Sequence, residues 1–148
     1  MNGETRTILL VEDDPDDVML LREGLKSGKG LVDMRVAQDG MEAMAYLHGD
    51  PPFSGATRPA LILLDLKLPR ISGLEVLAEI KGDPNLRLIP VLVLTTSSGG
   101  ADVQEAYSLG ANCFLPKPTG LAGIRTLAGL IEEFWFVHAR LPDQPIRI

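Results

Sequence analysis

Ile8-Leu9-Leu10-Val11-Glu12-Asp13-Asp14-Pro15-Asp16-Asp17 sets four apolar residues directly against five carboxylates. An unbroken apolar run of this length reads as a strand covered on both faces, the habit of parallel sheets. Like charges packed so closely repel and raise each other's pKa unless a cation offsets them. The stretch therefore asks for a partner at the end of a buried strand.

The same grammar recurs along the chain. Apolar runs bounded by turn residues fall at Met34 to Ala37, Ala60 to Leu64, Ile89 to Leu94 and Cys113 to Leu115. Between them lie segments with helical spacing: Val18, Leu21, Leu25; Met41, Met44, Ala45; Leu74, Leu77, Ala78; Val103, Ala106, Tyr107; and Leu121, Ile124, Leu127, Ala128, Ile131. Five strand-then-helix units in strict alternation favour an α/β protein with a parallel sheet and right-handed crossovers. Ser72-Gly73-Leu74-Glu75 and Asp39-Gly40-Met41-Glu42 match the capping box, and Asp14-Pro15 suggests a further N-cap. Gly49 to Pro59 is a Gly/Pro loop, longer than most such connections.

With 148 residues, one domain is the default. No apolar run approaches the roughly 20 residues that span a bilayer, and the polar start, Met1-Asn2-Gly3-Glu4-Thr5-Arg6, lacks the apolar core of a signal peptide. A cytoplasmic protein is expected, away from membranes. Cys113 is the single cysteine, so no internal disulfide or cysteine-built zinc site can form. A net charge of −6, with no run of Lys or Arg, disfavours DNA binding. His48 and His138 read as surface residues.

In an open parallel sheet, ligands bind beyond the carboxyl ends of the strands. The first strand ends in Glu12-Asp13, the third in Asp65 and the fourth in Thr95-Thr96; Lys117 follows the fifth. Taken singly, Asp65 reads equally as a turn residue, Thr95 as an ordinary strand residue and Lys117 as a solvated side chain. Together they put three carboxylates, a hydroxyl and an ammonium on one edge, a set that suits a hard dication and a phosphoryl group.

At this point the sequence resembles the receiver domains of two-component response regulators, over roughly residues 7–137. "ILLVEDDP" is similar to the family's acidic pair, "LILLDLKLPRISG" to its phosphoacceptor strand and the loop through Pro69 and Gly73, "VLVLTTS" to its switch-threonine strand and "LGANCFLPKP" to its lysine strand. The resemblance implies a flavodoxin-like (βα)5 fold with strand order 2-1-3-4-5 and helices on both faces. It also implies a cis Lys117-Pro118 bond and a receiver domain over 1–137, with a tail over 138–148 that adds to dimer contacts. A receiver core occupies most of this chain, so no separate output domain is expected.

Roles follow from the same resemblance. Asp65 is the nucleophile that takes a phosphoryl group from a phosphohistidine on a partner histidine kinase. Asp13 and Asp65 bind Mg²⁺ (Mn²⁺ as a substitute) directly, Glu12 binds it through water, and the backbone carbonyl of Lys67 completes the protein's share. Lys117 pairs with carboxylate and then with phosphoryl oxygen. Thr95 turns toward the phosphoryl group and Phe114 is the switch aromatic. The side chains of Lys67 and Ser97 flank the path of attacking water and so bear on phosphoryl lifetime. The protein would catalyse only its own phosphorylation and dephosphorylation, with no independent substrate.

Output is expected through protein contact with a downstream partner left unnamed. Leu130, Phe134, Trp135, Phe136 and Val137 spread apolar surface around the end of the fifth helix, beyond the single stripe that an amphipathic helix needs. A homodimer through helix four, strand five, helix five and the tail is expected, with Phe134, Trp135 and Phe136 on its surface. The long loop, "TTS" and "FWFVHARLP" look similar to the stand-alone regulators of bacterial phytochrome-type histidine kinases.

Other classes share parts of this pattern. A phosphatase working through an aspartyl phosphate needs a second acid two residues past its nucleophile, where this chain has Lys67. A flavin carrier needs a glycine- and hydroxyl-rich phosphate loop where "EDDPDD" stands. A degenerate receiver acting as a phosphorylation-independent interaction module would have no use for every acid, Thr95 and Lys117.

Overall fold

The run that opens the chain's core is a strand, β1 (Arg6–Val11), in which Ile8, Leu9, Leu10 and Val11 are each 1% exposed or less. The computed structural model describes residues 6–26, 32–96 and 99–142. After β1 come α1 (Pro15–Lys26), β2 (Val32–Ala37), α2 (Gly40–His48), β3 (Leu61–Leu64), α3 (Gly73–Gly82), β4 (Val91–Thr95), α4 (Gly100–Ser108), β5 (Cys113–Pro116) and α5 (Gly120–Glu132). The last helix runs straight into a π-helical turn over Glu133–His138. All strand pairs are parallel, in the order β2-β1-β3-β4-β5. The flavodoxin-like order expected of the chain is the order found.

Two cores follow from the period of two along each strand. Leu9, Val11, Ile62, Leu64, Val91 and Val93 face α2, α3 and α4, while Ile8, Leu10, Leu61, Leu63, Leu92 and Leu94 face α1 and α5. Each fully buried Leu or Ile contributes roughly 1.5–3 kcal/mol. Strands with both faces covered keep none of their side chains for solvent, which explains the continuous apolar runs. On the second face α1 and α5 pack closely; a Cβ on Gly24 would lie 2.7 Å from that of Ala128.

The caps divide. Ser72 and Glu75 make both bonds of a capping box at α3. Asp39 accepts from the Glu42 amide, but Glu42 accepts from Gln38, one residue ahead of the cap, so α2 has only half of the expected box. Asp14 accepts from the Asp16 amide as the chain turns into α1 at Pro15. The 49–59 loop is tied down by the Tyr46 hydroxyl, which donates to the Thr57 carbonyl (2.8 Å), and by Phe53 against the Tyr46 ring.

Two expectations need correction. The cis bond among the described residues is Pro51-Pro52, and Lys117-Pro118 is trans, the isomer that X-Pro bonds generally prefer. The spacing of Leu121 with Ile124, Leu127, Ala128 and Ile131 predicts one core stripe, but Leu121 is 43% exposed, because α5 buries the narrower stripe of Ile124, Ala128 and Ile131. Trp135 and Phe136 are half-buried and pack partly on the core beneath α1 and α5, and the Arg6 guanidinium lies 5.8 Å from the Phe136 ring centre. The wider π turn shifts side-chain register relative to an α-helix, which carries these two rings inward and leaves Phe134 and Val137 exposed.

Candidate functional site

Backbone bonds carry the strands one residue past their ends and fix the site there. The Glu12 amide donates to Ala37, that of Asp65 to Val11 and that of Lys117 to Thr95, at 3.0, 3.1 and 2.8 Å. Three side chains from separate loops are thereby held at one sheet edge. Glu12 and Asp65 are buried, Asp13 is exposed, and oxygens of all three lie within 4.8 Å of one another. Glu12 also accepts from the Asp14 amide and Asp65 from the Lys67 amide.

Lys117 closes the cluster. Its ammonium donates to Glu12 Oε1 at 2.7 Å, Asp17 Oδ2 at 2.9 Å and Asp65 Oδ2 at 3.1 Å, with its side chain only 6% exposed. Burial alone would lower the Lys117 pKa, but bonds to Glu12 and Asp17 and the charges of Glu12 and Asp65 hold it well above its ordinary value. Burial pushes Glu12 up to about 7, against the Lys117 hydrogen bond, and the charge of Asp65 adds to the rise. The pocket is thus short of positive charge.

An all-oxygen, anionic donor set fits a hard dication such as Mg²⁺ or Mn²⁺ and offers no sulfur or imidazole to softer ions. The ammonium beside Asp65 offers the charge that a phosphoryl oxygen needs. Thr95 is fully buried at the end of β4. Phe114 is half-buried against the α2, α3 and α4 side, and its amide donates to the Tyr107 hydroxyl at 3.1 Å. The Lys67 side chain is exposed beside Asp65, and Ser97 lies outside the described residues.

Asp17 is the site residue that the sequence reading passed over. Its charge is satisfied locally by the first turn of α1, where the helix dipole favours it.

A buried acidic pocket closed by lysine, at the carboxyl edge of a 2-1-3-4-5 sheet, defines a receiver, and the family profile described as the response regulator receiver domain matches residues 8–128. The chain belongs to that family. It is 44% identical to the response regulator Rcp1 of Synechocystis sp. (strain ATCC 27184 / PCC 6803 / Kazusa) over 137 residues, 93% of each protein. Among solved structures it is similar to the phosphorylated cyanobacterial phytochrome response regulator RcpA, with a TM-score of 0.90 and 45% identity over 94% of this chain and 99% of that one. The Mn²⁺-bound form of Rcp1 superposes with a TM-score of 0.88 and 43% identity, covering 93% of this chain and 99% of the other.

Proposed function

We propose that this protein is a response regulator that takes a phosphoryl group onto Asp65 from a partner histidine kinase of the phytochrome type, and signals by protein contact in the cytoplasm. The observation that carries the reading is the buried contact of Lys117 with Asp65 and Glu12 inside one carboxylate group. Similarity to RcpA, a phytochrome response regulator that was crystallised phosphorylated, supports the choice of partner.

In this reading an Asp65 oxygen attacks phosphorus, the P–N bond of the donor phosphohistidine breaks, and the imidazole leaves with the bonding pair. Asp13, Asp65, Glu12 and the Lys67 carbonyl would hold Mg²⁺, which supplies charge for the transferring phosphoryl oxygens. Lys117 releases Asp65 and donates to a phosphoryl oxygen. Thr95 offers its hydroxyl from the end of β4, and Phe114 follows into the space vacated, altering the face formed by α4, β5 and α5. Lys67 stands over the path of the hydrolytic water and sets the lifetime of the phosphoryl group, with Ser97 as its counterpart after β4. The domain spans 1–137, and a homodimer forms through α4, β5, α5 and the tail.

Intact-mass measurement after incubation with Mg²⁺ and a small phosphodonor tests the core of this proposal. Wild type should gain the mass of one phosphoryl group and Asp65→Asn should not. No gain by wild type would instead favour a phosphorylation-independent interaction module.

A further inference from the structure

Lys117 has three N–H donors, and three carboxylates take them. Glu12 and Asp65 belong to the cation-ligating group, whereas Asp17 does not. Resting on the receiver reading, we infer that Asp17 is a positioning residue that keeps the Lys117 ammonium in place while its other two acceptors change chemistry.

Phosphoryl transfer turns Asp65 from a carboxylate into an acyl phosphate, so the donor it received must move to a phosphoryl oxygen. A bound cation draws on the charge of Glu12. Asp17 alone remains the same acceptor before and after. It is itself fixed, because it sits in the first turn of α1 with its side chain 22% exposed. The lysine stem is flexible, and a side chain only 6% exposed finds little water to replace a lost acceptor. Asp17 also brings a negative charge toward an anionic substrate, which opposes transfer. The direct 2.9 Å charge-assisted bond outweighs that longer-range repulsion, since the ammonium stands between the two.

The test uses the full chain, Mg²⁺ and acetyl phosphate, with phosphorylation rates followed by intact mass. Asp17→Ala should slow phosphorylation by about tenfold, short of the hundredfold that a 1 Å misplacement can cost. Asp17→Asn, which keeps an oxygen acceptor without the charge, should fall in between. Asp16→Ala, an exposed acid in the same turn, controls for the helix dipole and should keep the wild-type rate. In a Lys117→Ala background the Asp17→Ala effect should vanish, because its cause acts through the lysine. Thermal melts establish that each variant folds. Unchanged or faster phosphorylation in both Asp17 variants, or an equal loss with and without Lys117, overturns the inference while uptake by wild type leaves the receiver reading intact. Absence of uptake by wild type overturns both.

Discussion

Glu12 carries the charge balance of the pocket. It is 2% exposed, and its folded pKa is pushed from the ordinary 4.5 up to about 7. Between those values the native protein holds a proton that the unfolded chain has released. The stability contributed by Glu12 is therefore complete below about 4.5 and lost as pH rises through about 7. In metal-free protein, the melting temperature of wild type relative to Glu12→Gln should fall between pH 5 and pH 7.5, and saturating Mg²⁺ should abolish the trend. Parallel pH profiles for the two proteins would remove Glu12 as the titrating group. Asp13, Asp65, Thr95 and Lys117 were legible as candidates because each ends or follows an apolar run at the sheet edge. Asp17 was not, since a helix N-terminus already gives its charge a sufficient local reason.

At the level of elements, the strand-to-helix connections decide how accurately Asp65 is held. Gly73 opens α3 directly beneath the β3 end; a Cβ there would run into the Asp65 carbonyl and come within 2.5 Å of the Leu66 Cα. Both obstacles are backbone, so Gly73→Ala must displace the loop that carries Asp65. We expect a destabilisation of about 1–3 kcal/mol, the scale of overpacking, together with a phosphorylation rate reduced more than Mg²⁺ affinity. A wild-type rate in this variant would show that the loop tolerates the shift.

The α4–β5 contact is a second such connection. β5 is the edge strand, the Phe114 amide is held by the Tyr107 hydroxyl, and Pro116 has no N–H. Tyr107→Phe removes that acceptor and should cost about 1 kcal/mol, with faster hydrogen exchange at the Phe114 amide. An unaltered exchange rate would mean that the hydroxyl is dispensable. Tyr107 shares the helical spacing of Val103 and Ala106, yet it is 49% exposed. Periodicity locates an apolar face, but it does not say how wide a strip the sheet covers or where a hydroxyl will reach.

At the scale of the molecule, alternation of strand and helix was enough to read a parallel sheet, whereas the strand order came from family resemblance, because crossover length does not say which neighbour a strand chooses. The end of α5 was legible as unusually apolar but not as to direction, since a π turn cannot be told from an α turn by composition. That distinction separates two kinds of aromatic residue. Trp135 and Phe136 finish the core on the α1 and α5 face, while Leu130, Phe134 and Val137 are 60%, 56% and 52% exposed. If the proposed homodimer uses this surface, association and stability should respond to different residues. Phe134→Asp should leave stability within about 0.5 kcal/mol and raise the monomer fraction in light scattering across a concentration series. Trp135→Ala should cost about 2 kcal/mol, below the usual range for a fully buried Trp because the ring is only half-buried, with little change in mass at concentrations where it stays folded. A wild-type mass of one chain throughout the series would rule out the dimer. A dimer unaffected by Phe134→Asp would move its interface off this exposed strip.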